Sequence, residues 1–497
     1  MKAIRPHQFL LYAANYSLKS TLTSIAYWSN VLFQNEDKTF GNFASSKNYK
    51  VQIGKGSYSG KVTIVQTWLL DLVYDLIINN LNGDENITPN ETLHLIALHN
   101  DYANEKSAKR LLGNKVSTIL NVYGMLGEQI RFQRASHAFE EFSREKYILD
   151  VISVKEDPEN IYNMNVPKEF SEITGFTTDE HASLMFAIFS YFTQLNFIID
   201  IDTLPPKPVI DSTNGVINSV NFKEIIQNYS VTLEEARKSS LKRQIFYSKP
   251  IVKLDEKTYV AINPILLLFS FANSEYWVMR NHYMQRKSQH FINAFGTFFE
   301  MYVKEVLHNC LDSSSYSRIT ENKEEKRADW LLRVANRNIL IEQKSGLSML
   351  SIKQTNPNTD DMLKHMESNW KEAIDQLQTT EKAYNLCDAI KIILVYEEYF
   401  KSETLNEWFK SHPEYNNDGS FWLVNINEFE ILLQTYKSNP LLAEKIFEEK
   451  FNCEKTFSGD GRDLQQIYAR HGINSNTYLI ESGIYESQFE RIVALCS

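Results

Sequence analysis

Glycine and proline are scarce, at 17 and 12 in 497 residues, and the four cysteines, Cys310, Cys387, Cys453 and Cys496, form no CxxC pair. The first scarcity excludes collagen-like and low-complexity chains. The second excludes a zinc knuckle, and four scattered thiols in a long chain suggest a reducing compartment. Long hydrophobic runs are missing too. The most apolar stretch, PILLLFSFA at 264–272, is far shorter than the roughly 20 residues of a membrane helix. The opening MKAIRPHQFLLYAANYSLKS has no long apolar core and no clear cleavage site. A cytoplasmic location without a membrane partner is therefore expected. Positive charge is in deficit, with 52 Lys and Arg against 62 Asp and Glu, a formal net charge of -10. A non-specific nucleic-acid coat protein is normally basic. Any contact with nucleic acid must then use a local basic patch or metal ions.

What is present is core material: 43% hydrophobic residues, including 29 Phe and 26 Tyr. A chain of this length is expected to form two to four domains. Residues 1–165 read as a helical domain, with apolar residues at helical spacing over 65–81, 90–105 and 117–133. Within it, 39–63 is rich in Gly and Ser and reads as a loop or small hairpin. Residues 166–285 read as a second, mostly helical domain. A helix over 177–196 starts at Thr177-Thr178-Asp179-Glu180 after Gly175. LPPKPVIDSTNG (204–215) reads as an extended connector, 230–241 as an amphipathic helix, and 249–264 as two short strands around Asp255-Glu256.

From about 285 the pattern changes. A helix at 290–311 precedes three β-like segments, SYSRIT, ADWLLRV and NILIEQKS. A polar stretch, a long helix at 362–386, a strand at 389–398 and a strand running into a helix at 421–436 follow. The order is α–β–β–β–α–β–β–α over a domain of 286–436, with a helical tail at 437–497.

The stretch DWLLRVANRNILIEQKSG (329–346) puts two acids and a lysine into an apolar hairpin. If Val334 pairs with Ile339, Asp329 lies opposite Lys344 and Leu331 opposite Glu342. Side chains alternate along a strand, so Asp329, Glu342 and Lys344 then share one face. Two carboxylates on diagonal positions can hold one divalent cation, leaving the lysine to orient a water or meet a phosphate. The competing reading is a buried Asp329–Lys344 ion pair with Glu342 at the sheet rim.

Asp329, then Glu342-Gln343-Lys344 on the next strand, resembles the PD-(D/E)xK nuclease superfamily over roughly 290–400. Glu300, in the preceding helix, sits where that family often supplies another acid. Gln376, in AIDQL, sits where it often supplies a glutamine. The residue before Asp329 is Ala328 rather than Pro, and the Gln-x-x-x-Tyr pattern of some members is absent. The resemblance implies an α+β or α/β fold: a restriction-endonuclease-like core, a central mixed sheet flanked by helices, behind a large, mostly helical N-terminal region. It implies Mg²⁺- or Mn²⁺-dependent hydrolysis of phosphodiesters in nucleic acid, DNA more often than RNA. Asp329, Glu342, the Gln343 carbonyl and Glu300 are the implied metal ligands, and Lys344 and Gln376 the further catalytic groups. Arg327, Lys326, Lys353 and Lys364, with Arg318, Lys323 and Lys371 nearby, are candidates to hold the phosphate backbone. The layout is similar to nucleases of bacterial anti-phage defence, in which the N-terminal region would meet a protein partner or activating signal. The rival expectations are an inactive nuclease fold used as a binding scaffold, or an RNA endonuclease. Oligomeric state stays open.

Three features are decoys. GKGSYSGKV (54–62) suggests a phosphate loop, but Lys55 and Val62 stand where that motif needs Gly and Ser or Thr. His94 and His99 are five apart, not four, and His365 reads as a surface residue. Trp330 and Trp370 read as core rather than as base-stacking platforms.

Overall fold

A computed structural model describes residues 8–34, 43–81, 83–111, 132, 138–157, 161–162, 164–203, 215, 218–320, 325–347, 359–397, 402–415, 418–456 and 463–496. Most of the helix expected at 117–133, the prolines at 205–208, and Lys323 and Lys353 lie outside these residues. The fold is mixed α/β, with one two-stranded, one four-stranded and one five-stranded sheet among the described residues. No helix among them is long and apolar enough to cross a membrane.

The N-terminal part is built on a long hairpin, β1 (Ala44–Ile53) and β2 (Gly56–Val65), where a loop or small hairpin was expected. Helix α1 (Pro89–Leu111) packs on one face of it. Helix α2 (Ala138–Tyr147) comes next. The predicted cap of α3 (Thr178–Gln194) forms: the Glu180 N–H donates to the Thr177 hydroxyl, and the Thr177 N–H to the Glu180 carboxylate. Asn196 and Phe197, both at positive φ, end the turn that follows it. Strands β3 (Ile198–Asp200), β4 (Ser230–Thr232), β5 (Ile251–Lys253) and β6 (Thr258–Ala261) form a sheet in the order β3-β6-β5-β4. The expected helix at 230–241 shrinks to Leu233–Lys238, because Ser230–Thr232 extends to pair with β5. Thr232 still caps that helix, reciprocally with Glu235. PILLLFSFA is α4 (Pro264–Ala272), capped by Asn263 and buried all round, as its uniform hydrophobicity requires.

The C-terminal part starts with α5 (His290–Cys310) and continues through β7 (Tyr316–Arg318), β8 (Trp330–Val334) and β9 (Arg337–Lys344). Helices α6 (Thr359–Met366) and α7 (Glu372–Ala383) follow, joined by a π-helical turn at Glu367–Lys371. Then come β10 (Ile390–Val395), α8 (Ser402–Ser411), β11 (Phe421–Asn425) and α9 (Ile426–Ser438). The sheet order is β11-β10-β9-β8-β7, parallel across β11, β10 and β9 and antiparallel across β9, β8 and β7. Parallel neighbours need a crossover, and α8, which the sequence reading did not contain, supplies it between β10 and β11. Alternation divides the sheet cleanly. Trp330, Leu332, Ile339, Ile341 and Ile392 face α5 and α9, while Leu331, Leu340 and Ile393 face α6 and α7.

The buried clusters do not follow the expected boundary at 165–166. One runs from Phe9 to Ala272, whereas Ile148, Leu149 and Phe170 belong with the C-terminal sheet. Helix α2 is the joint. Arg144 donates to both Glu430 oxygens of α9, at 2.7 Å each, and to Asn427 at 3.0 Å. Tyr302 of α5 donates to the same carboxylate at 2.5 Å. Lys146 sits among Asp150, Asp179 and Glu275 at 2.6, 2.9 and 3.2 Å. The C-terminal segment also turns back: Phe489 packs against the N-terminal cluster, and Arg491 pairs with Asp179 at 3.0 Å.

Both Arg144 and Glu430 are almost wholly buried. Glu430→Ala should therefore destabilise the protein by about 3–5 kcal/mol, because it strands a buried guanidinium. Thermal or urea unfolding measures this; a loss below about 1 kcal/mol, the surface-pair value, would show that the clamp contributes little.

Candidate functional site

The hairpin register differs from expectation by two residues. Val334 pairs with Arg337 and Trp330 with Ile341, so the connection is Ala335-Asn336 rather than four residues. Both turn residues have positive φ, 52° and 55°, the geometry of the tight hairpin turns that match strand twist. Two and four are both even, so the face assignment of Glu342 and Lys344 survives the shift. Both point towards α7.

Asp329 is not a ladder residue opposite Lys344. It stands just before β8, where pairing ends. Its N–H donates to the Ile341 carbonyl at 2.9 Å, and its carboxylate accepts the Gln343 N–H at 2.7 Å. The side chain thus takes over as acceptor where the strand stops. Helix α7 fixes the approach to it from the other side. Thr380 accepts the Ala328 N–H at 2.8 Å, and the Gln376 amide donates to the Arg327 carbonyl at 3.2 Å. The oxygen of that same Gln376 accepts from Lys344 at 3.3 Å. Gln376 therefore reaches the site, although the Gln-x-x-x-Tyr pattern is missing. Thr380, four residues on, was not singled out as a site residue; its one-turn spacing from Gln376 is the signal that points to it.

Lys344 donates to Glu342 at 2.9 Å. The ion pair is thus with Glu342 rather than Asp329, and Glu342 is no rim residue: only 3% of it is exposed. Its neighbour on β10 is Ile393. Burial in this apolar setting pushes the Glu342 carboxyl up to about 8, the Asp329 charge pushes the same way, and Lys344 opposes them. Burial also raises Asp329, against the Gln343 N–H and the charges of Lys344 and Arg318. One oxygen of Glu342 is buried without a hydrogen-bond partner, as are both side-chain atoms of Gln343. By alternation the Gln343 side chain lies on the sheet face away from Glu342.

The remaining expected residues are placed as follows. Glu300 of α5 forms an ion pair with Arg318, whose charge also reaches Asp329. No group of three His, Cys, Asp or Glu suited to a metal occurs among the described residues, so the acids that meet at the site are Asp329 and Glu342. Lys326 pairs with Glu372, Lys371 with Glu367 at 3.8 Å, and Arg327 with Glu325 at 3.5 Å. Lys364 is exposed on α6. A cleft of about 420 Å³ beside Gln376 is lined by Glu325, Glu367, Glu372 and Asp375 against Lys326 and Lys371. Lys326 and Lys371 of the expected basic patch are therefore matched by acids at this cleft. Trp330 and Trp370 are core residues, 2% and 1% exposed. His99 meets Asp75 at 3.0 Å and His365 meets Asn369, so neither takes part in the site.

No protein-family model, curated protein or solved structure matches the chain.

The raised Glu342 value has a sign. The folded carboxyl holds its proton to about 8, whereas the unfolded one releases it near 4.5. Across that window the unfolded state binds fewer protons, so stability falls as pH rises and levels off above about 8. In metal-free buffer, Glu342→Gln should flatten this slope and melt above wild type at the alkaline end. Parallel melting curves for the two proteins across the window would show that Glu342 is not the titrating group.

Proposed function

We propose that the protein is a metal-dependent nuclease of the PD-(D/E)xK type that hydrolyses phosphodiester bonds in DNA. The observation that carries this reading is the convergence of Asp329, Glu342, Lys344 and Gln376 at one end of a mixed sheet flanked by helices. Burying two acids together costs free energy unless something compensates. The single ammonium of Lys344 leaves one Glu342 oxygen unpartnered. That donor set suits a hard divalent cation, which takes oxygen ligands. Asp329 and Glu342 are the residues that would hold Mg²⁺ or Mn²⁺. When bound, such an ion supplies Lewis acidity and lowers the pKa of a bound water.

The chain's own groups have separable tasks. Lys344 keeps its ammonium within hydrogen-bond reach of both Glu342 and Gln376, with 17% of its side chain exposed. It is placed to orient a water and to meet the charge that develops on a phosphate oxygen. Gln376 holds Lys344 on one side and the Arg327 backbone on the other. Hydrolysis adds water across the P–O bond, and the leaving oxygen takes up a proton. The apolar neighbours of Glu342 keep bulk water from competing for the acids.

The test is cleavage of plasmid, single-stranded DNA and RNA with Mg²⁺ or Mn²⁺, against EDTA. Wild type is expected to cut DNA only with the metal. Asp329→Ala should abolish cutting while leaving the fold intact. Lys344→Ala should retain metal binding by calorimetry and lose turnover by roughly 10²–10³, the cost of one charge-stabilising donor. Variants that cut like wild type would remove these residues from the chemistry. Cutting confined to RNA would change the substrate, and no cutting by any arm would favour the scaffold reading.

A further inference from the structure

The cleft beside Gln376 is rich in acid and the whole chain is acidic, so on the nuclease reading a polyanion needs another place to hold. The hairpin β1–β2 has the opposite charge. Its 22 residues contain Lys47, Lys50, Lys55 and Lys61 and no Asp or Glu. None of the four lysines forms an ion pair with a described residue. This is the segment whose glycines suggested a phosphate loop; Gly54 instead forms the turn with Lys55, at φ 57°, and Gly56 and Gly60 belong to β2.

Its two faces are unlike. The inner face carries Tyr49 and Tyr58, whose rings lie 5.4 and 5.8 Å from that of His94 on α1, with Val51, Val62 and Ile64 buried. Asn100 of α1 also donates to the Thr63 carbonyl at 2.9 Å. Asp101, whose charge acts on Tyr49, belongs to α1. No other strand among the described residues covers the outer face, which is polar from Ser46 to Gln52 and from Ser57 to Thr63. Asn48 pairs with Lys61 and Lys50 with Ser59, so the two lysines lie diagonally across the strands, and both are exposed. Lys55 stands exposed at the tip.

We propose that this ribbon is a docking surface for duplex DNA, distinct from the Asp329 site. A two-stranded ribbon is an element that fits the major groove. Ten-residue strands extend it over roughly 33 Å. Unpaired lysines on an otherwise neutral face supply the phosphate contacts, and the short polar side chains between them let the backbone approach closely. Anchored on α1 by its inner face, the ribbon needs no ordering on binding.

The experiment is fluorescence anisotropy of a short labelled duplex in EDTA, where no metal-dependent cutting can occur. The triple variant Lys50→Gln, Lys55→Gln, Lys61→Gln should bind about tenfold or more weakly, with the slope of log K against log salt reduced by roughly 2–3. The triple Lys→Arg variant should bind like wild type. An unchanged affinity and salt slope in the Gln variant would overturn the proposal. So would a wild type that binds only single-stranded nucleic acid, only RNA, or neither. Because binding is read without metal and cleavage with it, failure of the ribbon and failure of the nuclease reading are separate results.

Discussion

The carboxylate of Asp329 meets the β9 strand because a two-residue turn sets the register of β8 against β9. With Trp330 paired to Ile341, the backbone just before it arrives beside Glu342 and Gln343, and the Asp329 side chain accepts a backbone N–H that no strand is left to take. Glu342 then has no escape to solvent: Ile393 lies on one side and the Asp329 charge nearby. Lys344 is bound into the same group because it is two residues along and so on the same face. One local constraint, a tight turn with two residues at positive φ, thus concentrates charge where the sheet would otherwise be apolar. An ordinary core would replace these groups by leucine at no cost. Their retention in a buried setting is a reason to look for chemistry, since perturbed groups cluster at functional sites.

The site is also tied to the rest of the chain through buried charge. Arg144 donates to Glu430 from Nε and Nη2, and Tyr302 on α5 shares that carboxylate. Tyr147 and Lys155 both reach Glu305, again on α5. The N-terminal part therefore grips the helix that carries Glu300, five residues before Glu305. Buried ion pairs gain little net stability but cost heavily when broken. They hold a docking geometry more than they deepen a well. The C-terminal helix returns to the same region through Arg491, so the last segment is a strap across α2 and α3 rather than a free tail.

Much of the site was legible because strand alternation has period two. Any even hairpin loop keeps Glu342 and Lys344 on one face, so an incorrect register still gave the right neighbours. The register itself was hidden because Ala335-Asn336 lacks the glycine that usually announces a two-residue turn. Gln376 was legible from its place in the helix after the hairpin. Its partner Thr380 carries only its one-turn spacing from Gln376, because bonding a backbone N–H leaves no mark of charge or hydrophobicity. Strand β4 was read as helix because the Thr232/Glu235 box that truly starts a helix lies only two residues past Ser230. Long-range pairings such as Arg144–Glu430, 286 residues apart, have no local signature.

On the proposed nuclease reading, the charge distribution reconciles an acidic chain with a polyanionic substrate. At the cleft beside Gln376 the cations are matched by acids, which limits non-specific adhesion of phosphate there. Affinity can then reside elsewhere, and the unpaired lysines of the β1–β2 ribbon are a place for it. Separating the two has a kinetic consequence. If the cutting site itself bound nucleic acid strongly, product would leave slowly. On that reading, a weakly attractive cutting site fed by a separate basic ribbon would release product without giving up capture. On that reading the field of the acidic chain would discourage indiscriminate binding and the exposed face of the ribbon would permit it.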